Sequence, residues 1–264
     1  MTVELLVTTM NGRLPMLLNE GEAVRDCRIV IVNQFSTDDQ RLADVAVPDT
    51  VRVFDYRERG VARSRNRALE HAEGTIAILC DEDTRMVAGL ARRVERAFAD
   101  DPRADLLTFK VRTPEGLPYK KYRSSRRRHN RLSIVGVSEV EIAFRVDAIR
   151  RHGLRFDERF GLGSLFPSGE GNILLADALS RGLIVDYVPE DIVIHPFESS
   201  GKRFEDHALL YSKGALFRRM FGASGGLVAR AFVLAKYRYY RRFYGLRTAL
   251  ELVRKGELEW ARLQ

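Results

Sequence analysis

The sequence predicts an α/β protein with a mainly parallel central sheet and helices on both faces. Short apolar runs of strand length recur through the first 110 residues, and amphipathic helical patterns separate them. Of the 264 residues, 45% are hydrophobic, which is enough for a sizeable core. Strands that alternate with helices become parallel neighbours, because each connecting helix packs back onto the sheet.

The predicted elements follow one another in a regular order. Strands are predicted at 3–9, 27–33, 51–55, 75–80 and 105–110, and helices at 60–72 and 87–99. After a turn signal between Pro114 and Pro118, the pattern predicts a strand and then a helix within 137–149, a helix at 173–182 and a final strand pair at 183–196. Residues 226–254 are predicted to form one long helix.

The apolar run 76–80 ends in three adjacent acids, Asp81, Glu82 and Asp83. Like charges repel one another, and more strongly where solvent is excluded, so such a cluster usually needs a cation. On an extended segment Asp81 and Asp83 project to the same side, and paired carboxylates suit Mg²⁺ or Mn²⁺. The alternative is a solvated turn in which Asp83 caps a helix that begins at Met86.

The position of these acids favours a functional role. Ligands of parallel sheets bind beyond the carboxyl ends of the strands. In this chain those ends bring together Asp81, Asn33 and the segment 8–11.

Composition narrows the classes of partner and compartment. Lys and Arg number 44 against 36 Asp and Glu, so the net charge of +8 favours nucleic acid, phosphorylated small molecules or an acidic membrane. Cys27 and Cys80 flank apolar runs, which predicts buried free thiols in a reducing compartment. We expect no signal peptide, and no run reaches the ~20 apolar residues that a membrane span needs.

Residues 120–131 form a strongly basic segment without acids. Its basic residues are Lys120, Lys121, Arg123, Arg126, Arg127, Arg128 and Arg131. Two interpretations stay open: a solvated flexible loop, or an anion-binding loop near an acceptor or a membrane. No stacking aromatics are interleaved with the arginine run, so nucleic acid is not the expected partner.

The predicted long helix carries two apolar stripes. One comprises Val228, Phe232, Ala235, Tyr239, Phe243 and Leu246, and the other Val233, Tyr237, Tyr240 and Tyr244. Basic residues flank both: Arg230, Lys236, Arg238, Arg241, Arg242 and Arg247. One stripe can pack on the rest of the protein while the other faces a membrane interface. A dimer interface or a fully covered helix is the alternative.

The ordered set of motifs resembles the GT-A-fold glycosyltransferases of the large inverting family 2. It comprises a strand ending in Asn33, "GVARSRN" at 60–66, the D-x-D strand end, "GE" before an A-L-x-R-G helix, and "YVPEDIVIHP". The likeness spans roughly 3–222. It implies a glycosyltransferase domain at 1–222, with a nucleotide-sugar half at 1–110 and an acceptor half at 111–222, followed by a basic helical extension at 223–264.

The resemblance implies a hexosyltransferase that works with inversion and depends on Mn²⁺ or Mg²⁺. The donor would be a nucleotide-diphosphate sugar, with a UDP-sugar favoured, and the acceptor a saccharide or lipid-linked glycan of surface or capsular polysaccharide synthesis. We expect a cytoplasmic location, with the protein peripheral at the inner face of an anionic membrane. No oligomeric state is implied. The alternatives are a non-catalytic basic nucleic-acid- or membrane-binding module, or a nucleotidyltransferase. The chain lacks the lysine-containing glycine-rich loop that would support the last of these.

Carried over to this chain, the resemblance assigns donor-site roles to several residues. Asp83 takes the place of the direct metal ligand, Asp81 that of the ligand of ribose or of metal-bound water, and His195 that of a further metal ligand. Thr8 and Asn33 lie where the nucleotide base would bind. Many relatives carry an acid at the place of Asn33 or the residue after it, so base recognition is expected to differ here.

The diphosphate region is assigned to one helix start and one loop. Arg63, Arg65 and Asn66 open the helix that faces the diphosphate, where a helix N-terminus and guanidinium groups favour anions. An exposed basic helix face is the alternative. The residues of an implied lid over the phosphates are Ser199, Ser200 and Lys202.

Glu170 is the candidate catalytic base. An inverting transfer needs a group that takes the proton of the acceptor hydroxyl as its oxygen attacks the anomeric carbon in line. Relatives usually carry a second acid after this glutamate, whereas this chain has Gly171. Glu141 and Asp157 are the nearest other acids in the acceptor half, and a purely structural Glu170 at the start of a helix is the alternative.

Overall fold

The computed structural model describes residues 1–19, 21–196 and 204–264, and within them the α/β class is confirmed. The strands are β1 (Val3–Met10), β2 (Arg28–Gln34), β3 (Val51–Tyr56), β4 (Ile76–Asp81), β5 (Arg85–Met86), β6 (Leu106–Arg112), β7 (Arg127–Arg128), β8 (Ile142–Arg145) and β9 (Val185–Ile194). The helices are α1 (Val61–His71), α2 (Leu90–Asp100), α3 (Val146–Arg151), α4 (Glu170–Ser180), α5 (His207–Phe221), α6 (Gly225–Tyr240) and α7 (Leu246–Arg262).

All the described strands belong to one sheet, in the order β3-β2-β1-β4-β8-β6-β9-β5, with β7 paired to β9. Strands β1 to β4 are mutually parallel. Strand β8 runs antiparallel to both β4 and β6, so the strand direction changes in the middle of the sheet. The carboxyl ends of β1, β2 and β4 therefore open together at one edge, beside this change of direction.

Side chains alternate between the two faces of the sheet, as in any strand. Leu6 of β1 belongs to a core that includes α1 and α4, whereas Leu5 and Val7 belong to the core beneath α2. Both faces are thus covered, and β1 and β4 are buried along their apolar length. This double burial explains the continuous apolar runs in the sequence.

Helices α5, α6 and α7 share a third cluster of buried side chains. Two glycines allow α5 and α7 to cross closely. A Cβ atom on Gly214 would lie 1.9 Å from the carbonyl oxygen of Val253, and one on Gly256 would lie 1.9 Å from that of Tyr211. Because backbone atoms line both contacts, only glycine fits at these two positions.

The prediction of one long C-terminal helix is wrong. The segment forms α6 and α7, which are separated by a turn that ends at Gly245. The predicted stripes also change, because Ala229, Val233 and Tyr240 are buried, whereas Leu227 is 71% exposed and Leu234 is 58% exposed. The outward face of α6 is therefore centred on leucines that belong to neither stripe.

The prediction of a strand pair at 183–196 is also wrong. This segment forms the single strand β9, whose register against β6 shifts between the pairs Thr108–Tyr187 and Lys110–Asp191. Pro189 lies in this irregular stretch, where a residue without an N–H group is tolerated.

Two further expectations have a clear outcome. Cys27 and Cys80 are buried free thiols, as predicted. Among the described helices we find none that combines the length and the apolar character needed to cross a membrane.

Candidate active site

The D-x-D motif forms a turn at the carboxyl end of β4. The backbone N–H of Thr84 donates to the carbonyl oxygen of Asp81 at 3.2 Å, and the Thr84 hydroxyl donates to the same oxygen at 2.7 Å. Residues 85–86 then form β5, and α2 begins only at Leu90. The alternative in which Asp83 caps a helix starting at Met86 is therefore wrong.

Asp81 faces a buried arginine on α1. Arg65 is 3% exposed and donates from Nη2 to Oδ1 of Asp81 at 2.8 Å, while its Nη1 atom donates to Glu170. Its Nε atom is buried, and we find no hydrogen-bond partner for it among the described residues. Burial opposes the charge of Arg65, but the carboxylates of Asp81 and Glu170 outweigh burial and raise its pKa. One cation thus joins the D-x-D turn to the start of α4.

Asp83 has a different partner, His195 at the end of β9. The Nε2 atom of His195 lies 3.5 Å from Oδ1 of Asp83, and its Nδ1 atom donates to the carbonyl oxygen of Pro196 at 2.6 Å. The contact with His195 lowers the pKa of Asp83. Burial would lower the pKa of His195, but the contacts with Asp83 and Pro196 outweigh it and raise that pKa.

This donor set fits a divalent cation. The bond from Nδ1 to a backbone carbonyl fixes the tautomer in which Nε2 of His195 can act as a ligand. Asp83 adds a hard carboxylate, and Asp81 lies two residues away along the turn. Within the described ranges, no three His, Cys, Asp or Glu side chains are grouped to hold a metal by themselves. Such a cation would complete its shell with water and substrate phosphate oxygens.

The remaining acid of the motif, Glu82, faces the end of β1. Its carboxylate accepts a hydrogen bond from the Thr9 hydroxyl at 2.7 Å and pairs with Arg13 at 2.7 Å. Thr8 is buried and lies opposite Asp81 in the register of β1 and β4. The convergence of the strand ends that the sequence predicted is therefore present.

Asn33 ends β2 at the predicted edge, with its amide already bonded. Its Nδ2 atom donates to Asp55 at 2.7 Å and to the carbonyl oxygen of Gln40 at 2.8 Å, and its Oδ1 atom accepts from the N–H of Gly12 at 3.2 Å. Burial alone would raise the pKa of Asp55, but the bonds from Asn33 and from two backbone N–H groups lower it. An acid therefore lies beside Asn33 after all, supplied by the neighbouring strand β3, and sequence reasoning missed it.

The other two polar residues at the start of α1 bind a neighbouring loop. Arg63 pairs with Glu158 at 3.0 Å. The side chain of Asn66 donates to the carbonyl oxygen of Phe156 at 3.0 Å and accepts from its N–H at 2.8 Å. Of the three residues assigned to the diphosphate, the structure brings only Arg65 next to Asp81. The implied lid residues Ser199, Ser200 and Lys202 lie outside the described residues.

Glu170 is the first residue of α4, and its side chain is 7% exposed. Beside it lies Glu139, which sequence reasoning missed. Burial first, and then the negative charge of Glu170, raises the pKa of Glu139 to about 7, while Arg65 opposes this rise. The side chain of Lys213, from α5, lies near both carboxylates, and burial lowers the pKa of this lysine.

The alternative acids are bound elsewhere. Glu141 accepts hydrogen bonds from Lys120 and Tyr122, each at 2.8 Å. Asp157 pairs with Arg159 at 2.7 Å and with Arg219 at 3.4 Å. Neither carboxylate has been found in contact with the group around Arg65, so we place them outside the candidate site.

The basic segment 120–131 is largely held by the protein. Lys120 binds Glu141, Arg126 pairs with Asp101 at 3.6 Å, and Arg128 pairs with Asp186 at 3.1 Å. Three other basic side chains are exposed and line a pocket: Lys121, Arg123 and Arg127. The segment is thus an ordered basic surface, which argues against a flexible solvated loop.

A sequence comparison decides the family. The model of the family described as Glycosyl transferase family 2 matches residues 17–154, which is more than half of the chain. The chain belongs to glycosyltransferase family 2. No curated protein matches this family 2 chain by sequence.

Solved structures similar to this family 2 chain include S. aureus TarS. TarS 1–349 in complex with UDP is 16% identical, with a TM-score of 0.60 over 92% of this chain and 73% of that one. The complex with UDP-GlcNAc is 15% identical, with a TM-score of 0.59 over 100% of this chain and 93% of that one. A longer TarS structure has a TM-score of 0.59 and 16% identity, and there the match covers 92% of this chain but only 44% of that chain. These likenesses show the GT-A fold.

Proposed function

We propose that this family 2 chain is a metal-dependent glycosyltransferase that uses a nucleotide-diphosphate sugar and inverts the anomeric centre. The observation that carries the proposal is the buried Arg65, which contacts both Asp81 of the D-x-D turn and Glu170 at the start of α4. A donor-side carboxylate and an acceptor-side carboxylate thereby lie on either side of one cation.

The proposed donor is a UDP-sugar, bound at the carboxyl ends of β1, β2 and β4. The similarity to TarS structures solved with UDP and with UDP-GlcNAc supports this choice. Thr8 and the hydrogen-bonded pair of Asn33 and Asp55 would contact the nucleoside. Asp83, His195 and Asp81 would hold Mn²⁺ or Mg²⁺, which offsets the charge of the departing diphosphate.

Glu170 is the carboxylate that marks the proposed acceptor side, and it belongs with Glu139 to a pair of carboxylates beside Arg65. A single in-line displacement by an acceptor hydroxyl inverts the anomeric carbon, and a carboxylate beside the hydroxyl assists it. Arg65 orients the carboxylate of Glu170 by hydrogen bonding. The proposed acceptor is a saccharide or a lipid-linked glycan in surface or capsular polysaccharide synthesis.

We also propose that α6 and the following turn bind an anionic membrane surface, which would place the enzyme at the cytoplasmic face. From Gly225 to Arg247 the chain has six basic and no acidic residues. Leu227 and Leu234 are exposed on the same helix. Exposed leucines among basic side chains suit the interface of an anionic bilayer.

The test is a screen of nucleotide sugars with Mn²⁺, in which released nucleoside diphosphate is measured. We expect UDP release from at least one UDP-sugar, with loss of that activity in EDTA and in D83N. D147N is the matched control, because Asp147 is an exposed acid on α3. No release from any nucleotide sugar, together with salt-sensitive retention on DNA or RNA, would instead support a nucleic-acid-binding module.

A further inference from the structure

The side chain of Glu139 fills the space that a side chain at position 171 would need. A Cβ atom built on Gly171 would lie 2.7 Å from Cγ of Glu139 and 3.0 Å from its Oε1 atom. Position 171 does not have a positive φ angle, so its backbone would accept other residues. What excludes them is Glu139. The side chain that occupies this space comes from a segment 32 residues earlier in the chain, whereas relatives carry an acid at the position after Glu170 itself.

The two glutamates differ in their surroundings. One oxygen of Glu170 accepts a hydrogen bond from Arg65, and the other lies 3.1 Å from the Cβ position of Gly161. In the part of the chain that the structure describes, we find no side chain that donates a hydrogen bond to Glu139. Glu170 is therefore a fixed carboxylate, and Glu139 is the one left to bond an incoming hydroxyl.

Charged groups on four elements of the described chain face Glu139. Glu170 from α4 and Asp81 from β4 disfavour its charge, and Arg65 from α1 favours it. Lys213 from α5 adds a second positive charge; burial lowers the pKa of this lysine, and the nearby charges of Glu139 and Glu170 oppose that fall without reversing it.

We propose that Glu139 takes the proton of the acceptor hydroxyl, in the place that family 2 relatives give to the acid after Glu170. This rests on the proposed function. In the step, the hydroxyl proton moves to a carboxylate oxygen of Glu139 while the hydroxyl oxygen forms a bond to the anomeric carbon. The bond from that carbon to the diphosphate oxygen breaks, and its electron pair leaves with the nucleoside diphosphate. Glu170 and Arg65 position Glu139 and the acceptor hydroxyl.

The proton affinity of Glu139 suits this task. A general base works best when its pKa lies near the operating pH, and that of Glu139 is raised to about 7. Replacing Glu170 by Gln removes a negative charge beside Glu139, so the pKa of Glu139 falls. The acid limb of the pH profile should then move to lower pH, which would not happen if the base were a group remote from Glu170.

The first experiment measures UDP release from the UDP-sugar that the wild type hydrolyses fastest, with water as acceptor. E139Q should lower kcat by ~10²- to 10⁴-fold with little change in donor KM, and the acid limb should disappear. E170Q should keep an acid limb at lower pH. E115Q is the control, because Glu115 is an exposed acid of the same half. Near-normal turnover of E139Q, with its acid limb retained, would overturn the proposal.

The second experiment moves the carboxylate back to position 171. E139A should be inactive, and the double variant E139A/G171D should recover transfer to within about tenfold of the wild type, because truncating Glu139 frees the space for the new side chain. G171D alone should be poorly active or poorly folded, because the two side chains compete for one site. A double variant that binds UDP and melts like the wild type, yet is no more active than E139A, would contradict the proposal.

The wild type separates this proposal from the proposed function. If the wild type neither binds UDP nor releases it from any nucleotide sugar, the glycosyltransferase assignment fails. If the wild type is active and E139Q is equally active, only the role of Glu139 fails.

Discussion

Arg65 and Asp81 are joined by a hydrogen bond of 2.8 Å from Nη2 to Oδ1. The arginine side chain is 3% exposed, whereas the aspartate is 37% exposed. The bond therefore connects a buried cation to a carboxylate that a solvent-borne substrate can reach. Because Arg65 also binds Glu170, it holds two carboxylates near each other that would otherwise repel.

Arg65 should accordingly be far more important for stability than its neighbour Arg63. R65A leaves Asp81, Glu170 and Glu139 without their buried counter-charge, and we expect a loss of about 3–5 kcal/mol in the free energy of unfolding. R63A removes a partly exposed pair with Glu158 and should cost less than about 1 kcal/mol. Urea denaturation of both variants is the measurement. An R65A protein as stable as R63A would show that Arg65 does not neutralise the cluster.

The crossing of α5 and α7 should not tolerate a methyl group at either glycine. G214A and G256A each place a Cβ atom 1.9 Å from a backbone oxygen, so the helices must move apart. We expect a loss of about 3 kcal/mol for each, seen as a lower melting temperature. G245A is the matched control, because no atom lies within 4 Å of the Cβ position on Gly245. Wild-type melting of G214A would mean that the helices are packed less closely.

Much of the structure of residues 1–110 could be predicted from the sequence. The five apolar runs within the first 110 residues became strands because both faces of this sheet are buried, and an apolar run then marks the strand directly. The chain order also predicted that Asp81, Asn33 and Thr8 converge, since parallel strands end at one edge.

The structure from residue 111 onward was less predictable, because its key contacts join distant segments. Glu139 belongs to a short segment whose pattern gave no indication that it meets Gly171. The available signal was the absence of an acid at 171, which implies either lost chemistry or a replacement from elsewhere. The break between α6 and α7 was marked by Gly245, but the surrounding helical periodicity outweighed that signal.

His129 should make the protein less stable in acid. Its side chain is bonded to Thr108 at 2.8 Å and to Ser133 at 2.9 Å. Burial, with Arg127 and Lys120 nearby, lowers its pKa from 6.5 to about 4. Between pH 6.5 and about 4, His129 binds a proton in the unfolded chain but not in the folded protein. The free energy of unfolding therefore falls as the pH drops through this range.

The H129Q variant isolates this contribution. Because Gln does not titrate, the stability of H129Q should fall less than that of the wild type over this pH range, by on the order of 2 kcal/mol at the acid end. Urea denaturation at a series of pH values measures the difference. If the free energies of unfolding of the two proteins fell in parallel with pH, His129 would bind a proton as readily in the folded protein as in the unfolded chain.

Attachment to anionic lipid should depend on α6 and the turn after it. R238Q/R241Q/R242Q removes three exposed charges from this surface, and binding to vesicles of phosphatidylglycerol and phosphatidylcholine should weaken by ~10-fold or more at low salt, since each basic residue contributes ~1 kcal/mol. R254Q/K255Q/R262Q removes the same charge from α7 and should bind nearly as the wild type does. Equal losses of vesicle binding in the two variants would indicate attraction by net charge alone. If the wild type does not bind the vesicles, the proposed membrane attachment is contradicted.

Calorimetric titration of the protein with UDP, in Mn²⁺ and in EDTA, tests the proposed metal and donor site. Mn²⁺ should tighten UDP binding by about tenfold or more, a difference of ~1.4 kcal/mol, because Asp83 and His195 are proposed to hold the cation against the diphosphate. D83N should fold as the wild type does and lose this difference, whereas D147N should keep it. Failure of the wild type to bind UDP, or equal UDP affinity of wild type and D83N in Mn²⁺, would contradict the proposed metal-dependent donor site.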